Sequence, residues 1–342
     1  MPRYKPPFTL NTQILNQVAH ISEQVGRIST QWQYEQDLRL RRINRIRTVT
    51  GSLAIEGNTL SESQITAILD GKQVIAPPRE IQEAHNALQA YEQLSHWQSI
   101  DEQDLLAAHK TMMMGLVADA GAYRASGVGV MSGDQVIHVA PPASQVPRLM
   151  VDLFDWLQYS QEHTLIRSCI FHYEFEFIHP FSDGNGRIGR LWQTLILSEW
   201  QTIFANIPVE SLIHKNQQQY YLAINQSTQQ SDAAPFIQFM LSMINDALSN
   251  QVNIQDTPQV SHQVTPQVEV LLRCIEGDMS RDILQQILGL KDRVSFKDRY
   301  LQPALQANLI EMTVPNKPSS RLQKYRLTHT GQQLKSALLL KG

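Results

Sequence analysis

From Thr12 to Leu248 apolar residues recur at steps of three and four, and that spacing restricts the chain to a mainly helical fold. Ile14, Val18, Ile21, Val25, Ile28 and Trp32 make the apolar face of a first long helix. A second runs from about Asp37 through Leu40, Ile43 and Ile46 to Glu56, and stops at Gly57-Asn58, residues suited to a helix end. Ser61 with Gln64 reads as a capping box for a short helix ending near Gly71. Pro77-Pro78 opens another, with Ile81, Ala84, Leu88, Tyr91 and Leu94 inward, and Leu105, Leu106, His109, Met112 and Met113 mark one more. The pattern returns at Leu149–Leu157, Leu165–Phe177, Leu191–Ile196, 217–225 and 235–248. Trp192 and Trp200 read as core.

The helical texture breaks twice. Between Gly121 and Pro142, β-formers flank Ser132-Gly133-Asp134, which predicts a small hairpin over 128–139. Residues 250–264 are polar and aperiodic and read as a linker. Beyond them, helix patterns at 266–276, 280–288 and 293–308 precede two strands, 310–314 and 322–327, and a last helix over 330–340. Three helices with a two-stranded wing are a winged-helix pattern. The expected fold class is therefore all-α: a helical core with a small β-hairpin flap, plus a C-terminal winged-helix domain. The expected divisions are 1–100, 101–249, a linker at 250–264, and 265–342.

Composition narrows the partners. At roughly 150 residues per domain, 342 residues suggest two or three domains. Thr265–Gly342 holds 12 Lys+Arg against 7 Asp+Glu, a net +5, on a remainder of −8. That basic module bears on partners rather than on fold. Lys291, Arg293, Lys297 and Arg299 crowd the third helix of the wing domain, diluted by Asp292 and Asp298. Winged helices read DNA or dock proteins, and the sequence leaves that choice open. The two cysteines, Cys169 and Cys274, sit in apolar runs and read as buried thiols in a reducing compartment. With no apolar leader in MPRYKPPFTLN and no stretch of about 20 apolar residues, the expectation is a cytoplasmic protein without a membrane segment.

The chemistry concentrates between two helix patterns, in His179-Pro-Phe-Ser-Asp183-Gly-Asn185-Gly-Arg187-Ile-Gly-Arg190. Gly184 and Gly186 let backbone approach a ligand, so that consecutive N–H groups form a nest for an anion. The helix that follows adds its positive end at the same spot. Arg187 and Arg190, three apart, share one face of its first turn and suit the outer phosphates of a nucleotide. Asp183 supplies a hard oxygen of the kind magnesium takes when it bridges phosphates. His179, at the head of the loop, can take a proton from an attacking hydroxyl. Together these parts make a phosphoryl- or nucleotidyl-transfer site. There is no Walker A sequence or kinase-type glycine loop. His172, Glu174 and His179 do not have zinc-site spacing, and His109 and His138 read as satisfied structural histidines.

His-Pro-Phe-x-Asp-Gly-Asn-Gly-Arg-x-x-Arg, with nine fixed positions, resembles the signature of the Fic family of protein adenylyltransferases. Tyr4-Lys-Pro-Pro, Gly121-Ala-Tyr-Arg124, the 128–139 hairpin and Phe175-Glu-Phe-Ile178 are similar to other parts of such proteins, so the resemblance covers about residues 1–248. It implies that His179 is the catalytic base. The hydroxyl of a protein Ser, Thr or Tyr, on a target or on the enzyme itself, would attack the α-phosphate of ATP and release pyrophosphate. It implies Mg²⁺ on Asp183, and ATP held by Gly184, Asn185, Gly186, Arg187, Ile188, Gly189 and Arg190, with Phe181 as an anchor. Tyr221, near Tyr220 and Asn225, would contact the adenosine. Glycine at both 184 and 186 resembles the AMP-transferring members rather than those that phosphorylate or transfer phosphocholine. A homodimer is a further implication.

Ser52-Leu-Ala-Ile-Glu56-Gly57 is similar to the family's inhibitory pattern. It implies that Ser52, Glu56 and Gly57 belong to an N-terminal inhibitory helix, with Glu56 reaching the ATP site and pairing with Arg190. Whether Glu56 also supports AMP removal stays open. The alternative to an autoinhibited enzyme is a DNA-binding transcriptional regulator that uses the core as a nucleotide sensor. A third reading, a toxin-like element with a separate inhibitor chain, is made unnecessary by the built-in Glu56 motif.

Overall fold

The structure is a computed structural model that describes residues 4–32, 38–127, 129–132, 135–256, 266–290, 292–307, 309–314, 320, 322–328, 331–332, 334–335 and 338. The chain forms two compact units, Met1–Val252 and Asn253–Gly342.

The first unit is helical because its apolar stripes need one another. Its helices are α1 (Thr12–Trp32), α2 (Leu38–Ile55), α3 (Glu62–Leu69), α4 (Pro78–Glu92), α5 (Glu102–Met113), α6 (Val146–Tyr159), α7 (Thr164–Ile178), α8 (Asn185–Trp200), α9 (Val209–Lys215), α10 (Gln217–Gln230) and α11 (Ala234–Asp256). Ile14, Ile21, Val25 and Ile28 of α1 are buried, as their spacing requires. The expected capping box opens α3: Ser61 Oγ accepts from the Gln64 N–H, and Gln64 Oε1 accepts from the Ser61 N–H at 3.0 Å. Residues 1–100 and 101–249 share this unit and one continuous core, in which α2 packs on α4, α8 and α9, and α4 on α5.

Helix α7 is the axis of the unit. Almost every residue from Leu165 to Ile178 is buried, on all faces, as for a helix enclosed by others. Its partner α8 follows after a six-residue connection and is buried from Arg187 to Leu197. Trp192 is in the core, but Trp200 is only partly buried. Near the C-terminal end of α7, Tyr4 donates from its hydroxyl to Glu174 Oε2 at 2.7 Å, which ties the proline-rich start onto this helix. Strands β1 (Gly129–Ser132) and β2 (Gln135–Val139) pair antiparallel with a register shift at Val130/Met131. That is the expected hairpin; Val128, Gly133 and Asp134 of the expected span lie outside the described residues.

Helix α11 differs from expectation. It continues to Asp256, through the first part of the stretch read as a linker, and 257–264 lie outside the described residues. A polar helix end is invisible to apolar periodicity, since its sequence carries no apolar stripe.

The second unit contains α12 (Pro266–Cys274), β3 (Met279–Ser280), α13 (Arg281–Ile287), α14 (Arg293–Phe296), α15 (Gln302–Gln306), β4 (Ile310–Met312) and β5 (Lys324–Leu327). Its core is Val268, Leu271, Leu272, Ile275, Leu284, Phe296, Leu301, Ala304, Leu309 and Ile310. The wing strands pair as expected, and β3 adds a third strand on β5, giving the order β3-β5-β4. The third helix pattern, 293–308, is not one α-helix: a wider π-type turn at Lys297–Leu301 separates α14 from α15. Pro303 has no N–H to return to Arg299, and its ring crowds that carbonyl, so the regular ladder cannot continue there. Of the last helix pattern, 331–332, 334–335 and 338 are helical, and the rest lies outside the described residues, as does Lys291. Cys169 is buried, whereas Cys274 is partly exposed.

Candidate active site

The site begins where α7 must stop. Pro180 disfavours right-handed helix at the residue before it, and His179 caps α7 in the left-handed region at φ 50° and ψ 62°. A non-glycine residue there carries strain and needs support. Arg124 supplies it. Its Nε donates to the His179 carbonyl at 2.7 Å, and its NH2 donates to Pro141 O at 2.6 Å and Ile178 O at 3.3 Å. The Arg124 amide also donates to Pro180 O at 2.9 Å. A buried guanidinium thus satisfies the carbonyls that α7 leaves open at its end.

The loop is closed from inside. Phe181 is fully buried, and its N–H donates to Asn185 Oδ1 at 2.9 Å while Asn185 Nδ2 donates back to Phe181 O at 2.9 Å. The Asn185 side chain therefore staples the loop to the first turn of α8 rather than facing outward. Gly184 is the N-cap at φ 84°. The first intrahelical bond of α8 runs from Ile188 N to Gly184 O at 3.0 Å, so the amides of Asn185, Gly186 and Arg187 have no acceptor within the helix.

Two charge clusters flank these amides. Asp183 Oδ1 accepts from the Gly184 N–H at 2.6 Å and from Arg187 NH2 at 2.9 Å, while Arg79 NH2 donates to Asp183 Oδ2 at 3.1 Å. Arg79 and Arg187 also meet Glu83 Oε1, at 3.3 and 3.5 Å. In the second cluster, Arg190 donates from NH2 to Glu56 Oε1 at 2.8 Å and to Ser52 O at 3.0 Å, and from Nε to Ser52 Oγ at 3.1 Å. Arg190 is buried, yet its pKa is raised: burial opposes the charge, and Glu56, with Tyr220 and Glu176, more than offsets it. Glu56 stands just past the end of α2 rather than in its last turn, and Gly57 at φ 89° turns the chain away. The Glu56 carboxylate overhangs the first turn of α8, because a Cβ on Gly186 would collide with its Oε1.

Two nitrogens in the site are buried without a hydrogen-bond partner among the described residues, Arg190 NH1 and Arg187 Nε. NH1 lies 2.9 Å from the point a Gly186 Cβ would occupy, and so at the first turn of α8. Unpaired buried guanidinium nitrogens are costly unless something else supplies an acceptor.

The structure thus brings together His179, Asp183, Gly184, Gly186, Arg187, Arg190, Ser52 and Glu56. Two of the residues expected to hold ATP do not line this space. Ile188 is buried in the core with its N–H used within α8, and Gly189 faces inward, where a Cβ would meet Glu176 and His172. Tyr221 is half-buried, edge-on to Tyr220 with ring centroids 5.3 Å apart, and burial, with Glu56 adding, raises its pKa. His109 is satisfied at both nitrogens, as expected, but it also holds the loop: it stacks on Phe181 and bonds Asp183 O. The side chain of His138 lies outside the described residues. Arg79, Glu83 and Arg124 join the site without a motif of their own in the sequence: Arg79 and Glu83 are charges on α4, and Arg124 lies in the loop before the hairpin.

Among the described residues no group of three or more His, Cys, Asp or Glu could hold a metal ion by itself. Asp183 keeps part of its carboxyl exposed at the loop mouth. Among the described residues no helix is long and apolar enough to cross a membrane.

Family comparison agrees with this geometry. Residues 99–197 match the Fic/DOC family, and 266–328 match the C-terminal domain of proteins described as filamentation induced by cAMP protein Fic-like. The chain covers 99% of a Fic family protein from Desulfovibrio desulfuricans G20 of known structure, at 50% identity and TM-score 0.74, with 95% of this chain aligned. It belongs to the Fic family. A curated relative, protein adenylyltransferase Fic from Nematostella vectensis, is 30% identical over 201 residues, which is 55% of this chain and 44% of the relative. The chain thus spans less than half the length of that relative. The solved structure of Fic-1 from C. elegans, with 72% of each chain covered, is 23% identical at TM-score 0.58 and shares the fold.

Proposed function

We propose that this chain is an autoinhibited adenylyltransferase that moves AMP from ATP to a protein hydroxyl. The observation that carries the reading is the pair of unpaired buried guanidinium nitrogens, Arg190 NH1 and Arg187 Nε, beside three helix-start amides without intrahelical acceptors. Such a place is built for a polyanion. The names of the curated relatives support transfer of AMP in particular.

In this reading His179 takes the proton of the target hydroxyl. The hydroxyl oxygen forms a bond to the α-phosphorus, and the bond from that phosphorus to the bridging oxygen breaks. AMP stays on the target, and pyrophosphate leaves with the bridging oxygen and its electron pair. Arg187 and Arg190 hold the outer phosphates, and the amides of α8 stabilise charge that develops on the transferring group. Asp183 would hold Mg²⁺, which when bound neutralises phosphate charge. Glu56 keeps this machinery idle by occupying Arg190 and overhanging Gly186. The adenosine would lie toward Tyr221.

The test is labelling of a lysate with wild type, Glu56→Gly and His179→Ala in the presence of Mg²⁺, using α-³²P-ATP and γ-³²P-ATP in parallel. Label from the α position alone, strongest with Glu56→Gly and lost with His179→Ala, is expected. Label from the γ position would mean phosphorylation. No label with Glu56→Gly would favour a nucleotide sensor over an enzyme.

A further inference from the structure

Glu176 is buried on α7, one turn before His179, with no part in holding the phosphates. Its Oε2 lies 3.9 Å from His179 Nδ1, and its Oε1 lies 3.8 Å from His172 Nε2. Its main-chain oxygen also faces His179 Nδ1, at 3.4 Å. Oε1 has no hydrogen-bond partner among the described residues, and Gly189 is glycine where a Cβ would stand 2.9 Å from it. A carboxyl group so enclosed needs either a cation or a proton. The cation of the neighbourhood, Arg190, is already engaged by Glu56 and Ser52.

We propose that Glu176 is a positioning residue for His179: its main-chain oxygen and its carboxyl group together occupy the Nδ1 edge of the imidazole and leave Nε2 as the nitrogen that accepts a proton. A main-chain carbonyl can only accept, so Nδ1 carries hydrogen and Nε2 keeps its lone pair. The side chain walls the same edge. The consequence for catalysis rests on the adenylyl-transfer reading; the consequence for the ring does not.

Burial pushes the Glu176 carboxyl up to about 8, with Arg190 opposing and Glu56 adding to the rise. The titratable and charged groups that face it are His172 on its own helix, His179 at the helix end, Arg190 on α8, Glu56 after α2, and Tyr220 and Tyr221 on α10. His172 is held neutral by burial to about 3, and both tyrosines are pushed up, so these stay uncharged around pH 8. Ionisation of Glu176 therefore places a new anion against Nδ1, and the imidazole must respond to it.

The full-length protein labelled with ¹⁵N-histidine reads this directly. The His179 signals, assigned by their loss in His179→Ala, are followed from about pH 6 to about pH 9.5 in wild type and in Glu176→Gln, an isosteric change. Wild type is expected to show hydrogen on Nδ1 and an inflection near pH 8. In Glu176→Gln that inflection is expected to vanish while hydrogen stays on Nδ1, since the main-chain oxygen is unchanged. The same titration in both proteins, or a wild-type ring with hydrogen on Nε2, would overturn the proposal. In a Glu56→Gly background, adding Glu176→Gln is expected to lower kcat about tenfold with KM for ATP within about twofold. An unchanged kcat, or a change confined to KM, would count against it. If Glu56→Gly transfers nothing at all, the adenylyl-transfer reading fails, and the imidazole spectra still decide the role of Glu176.

Discussion

The imidazole of His109 lies flat on the ring of Phe181, with centroids 3.6 Å apart and planes 3° from parallel. Its Nδ1 accepts from the Gly121 N–H at 2.8 Å, so its Nε2 carries the hydrogen and donates to Asp183 O at 3.0 Å. One neutral ring thus joins α5, the loop that leads into the hairpin, and the loop that carries the chemistry. Burial lowers its pKa to about 4. In the unfolded chain a histidine takes its proton near pH 6.5. The stability this neutral ring contributes is therefore complete above about pH 6.5 and is lost as pH falls toward about 4. Urea denaturation across that window should show wild type weakening on acidification, and His109→Asn showing a shallower dependence. At neutral pH the variant should be less stable by about 1–3 kcal/mol, because it strands Asp183 O and the Gly121 N–H.

Glu56 and Ser52 restrain Arg190 to different extents. Glu56→Gly removes both the ion pair and the overhang on Gly186, and should raise AMP transfer severalfold or more. Ser52→Ala deletes only the acceptor for Nε, so its gain should be smaller. Initial transfer rates at saturating Mg-ATP rank the two. Because Glu56 is partly exposed and Arg190 keeps Ser52, the stability cost of Glu56→Gly should be about 1–3 kcal/mol, below that of breaking a fully buried pair.

Gly186→Ala makes a different prediction. The new methyl would collide with Glu56 Oε1 and crowd Arg190 NH1. Displacing Glu56 would open the lock, but the methyl would then occupy the phosphate cradle. Transfer should stay low both in Gly186→Ala and in the double variant with Glu56→Gly. Calorimetric titration with ATP in the Glu56→Gly background should show binding about tenfold weaker, or about 1.4 kcal/mol.

Arg124→Lys tests the support under His179. Lysine keeps the charge but lacks the planar fork that reaches His179 O, Ile178 O and Pro141 O together. A loss of about 2–3 kcal/mol in chemical denaturation is expected. A fall in kcat at unchanged ATP affinity should accompany it, as His179 leaves its left-handed conformation.

Much of this molecule is legible without coordinates. The helices α1 to α8 and α10 follow from apolar spacing, and the capping box at Ser61 from two letters, whereas α9 is a single short helix of seven residues with too few apolar positions to show a period. The end of α7 follows from the proline after His179, and the loop's anion chemistry from two glycines and two arginines at fixed separation. The misreadings have a common origin. The end of α11 is polar in sequence and carries no apolar stripe, and the π-type turn before Pro303 and strand β3 do not alter periodicity. Within the motif, Ile188 is buried and Gly189 stands against Glu176 and His172, which the spacing of the motif does not show.

By itself the sequence specified what is local: which segments coil, where they stop, and which short loop can meet a polyanion. Such features arise among residues a few positions apart, where backbone geometry and side-chain period dictate the outcome. Only the tertiary structure decided that Arg190 is held by a carboxylate 134 residues away, that Arg124 braces a histidine 55 residues on, and that Asn185 turns inward as a staple. Those pairings depend on how α2, α7 and α8 pack, and packing depends on the shape of the whole buried core.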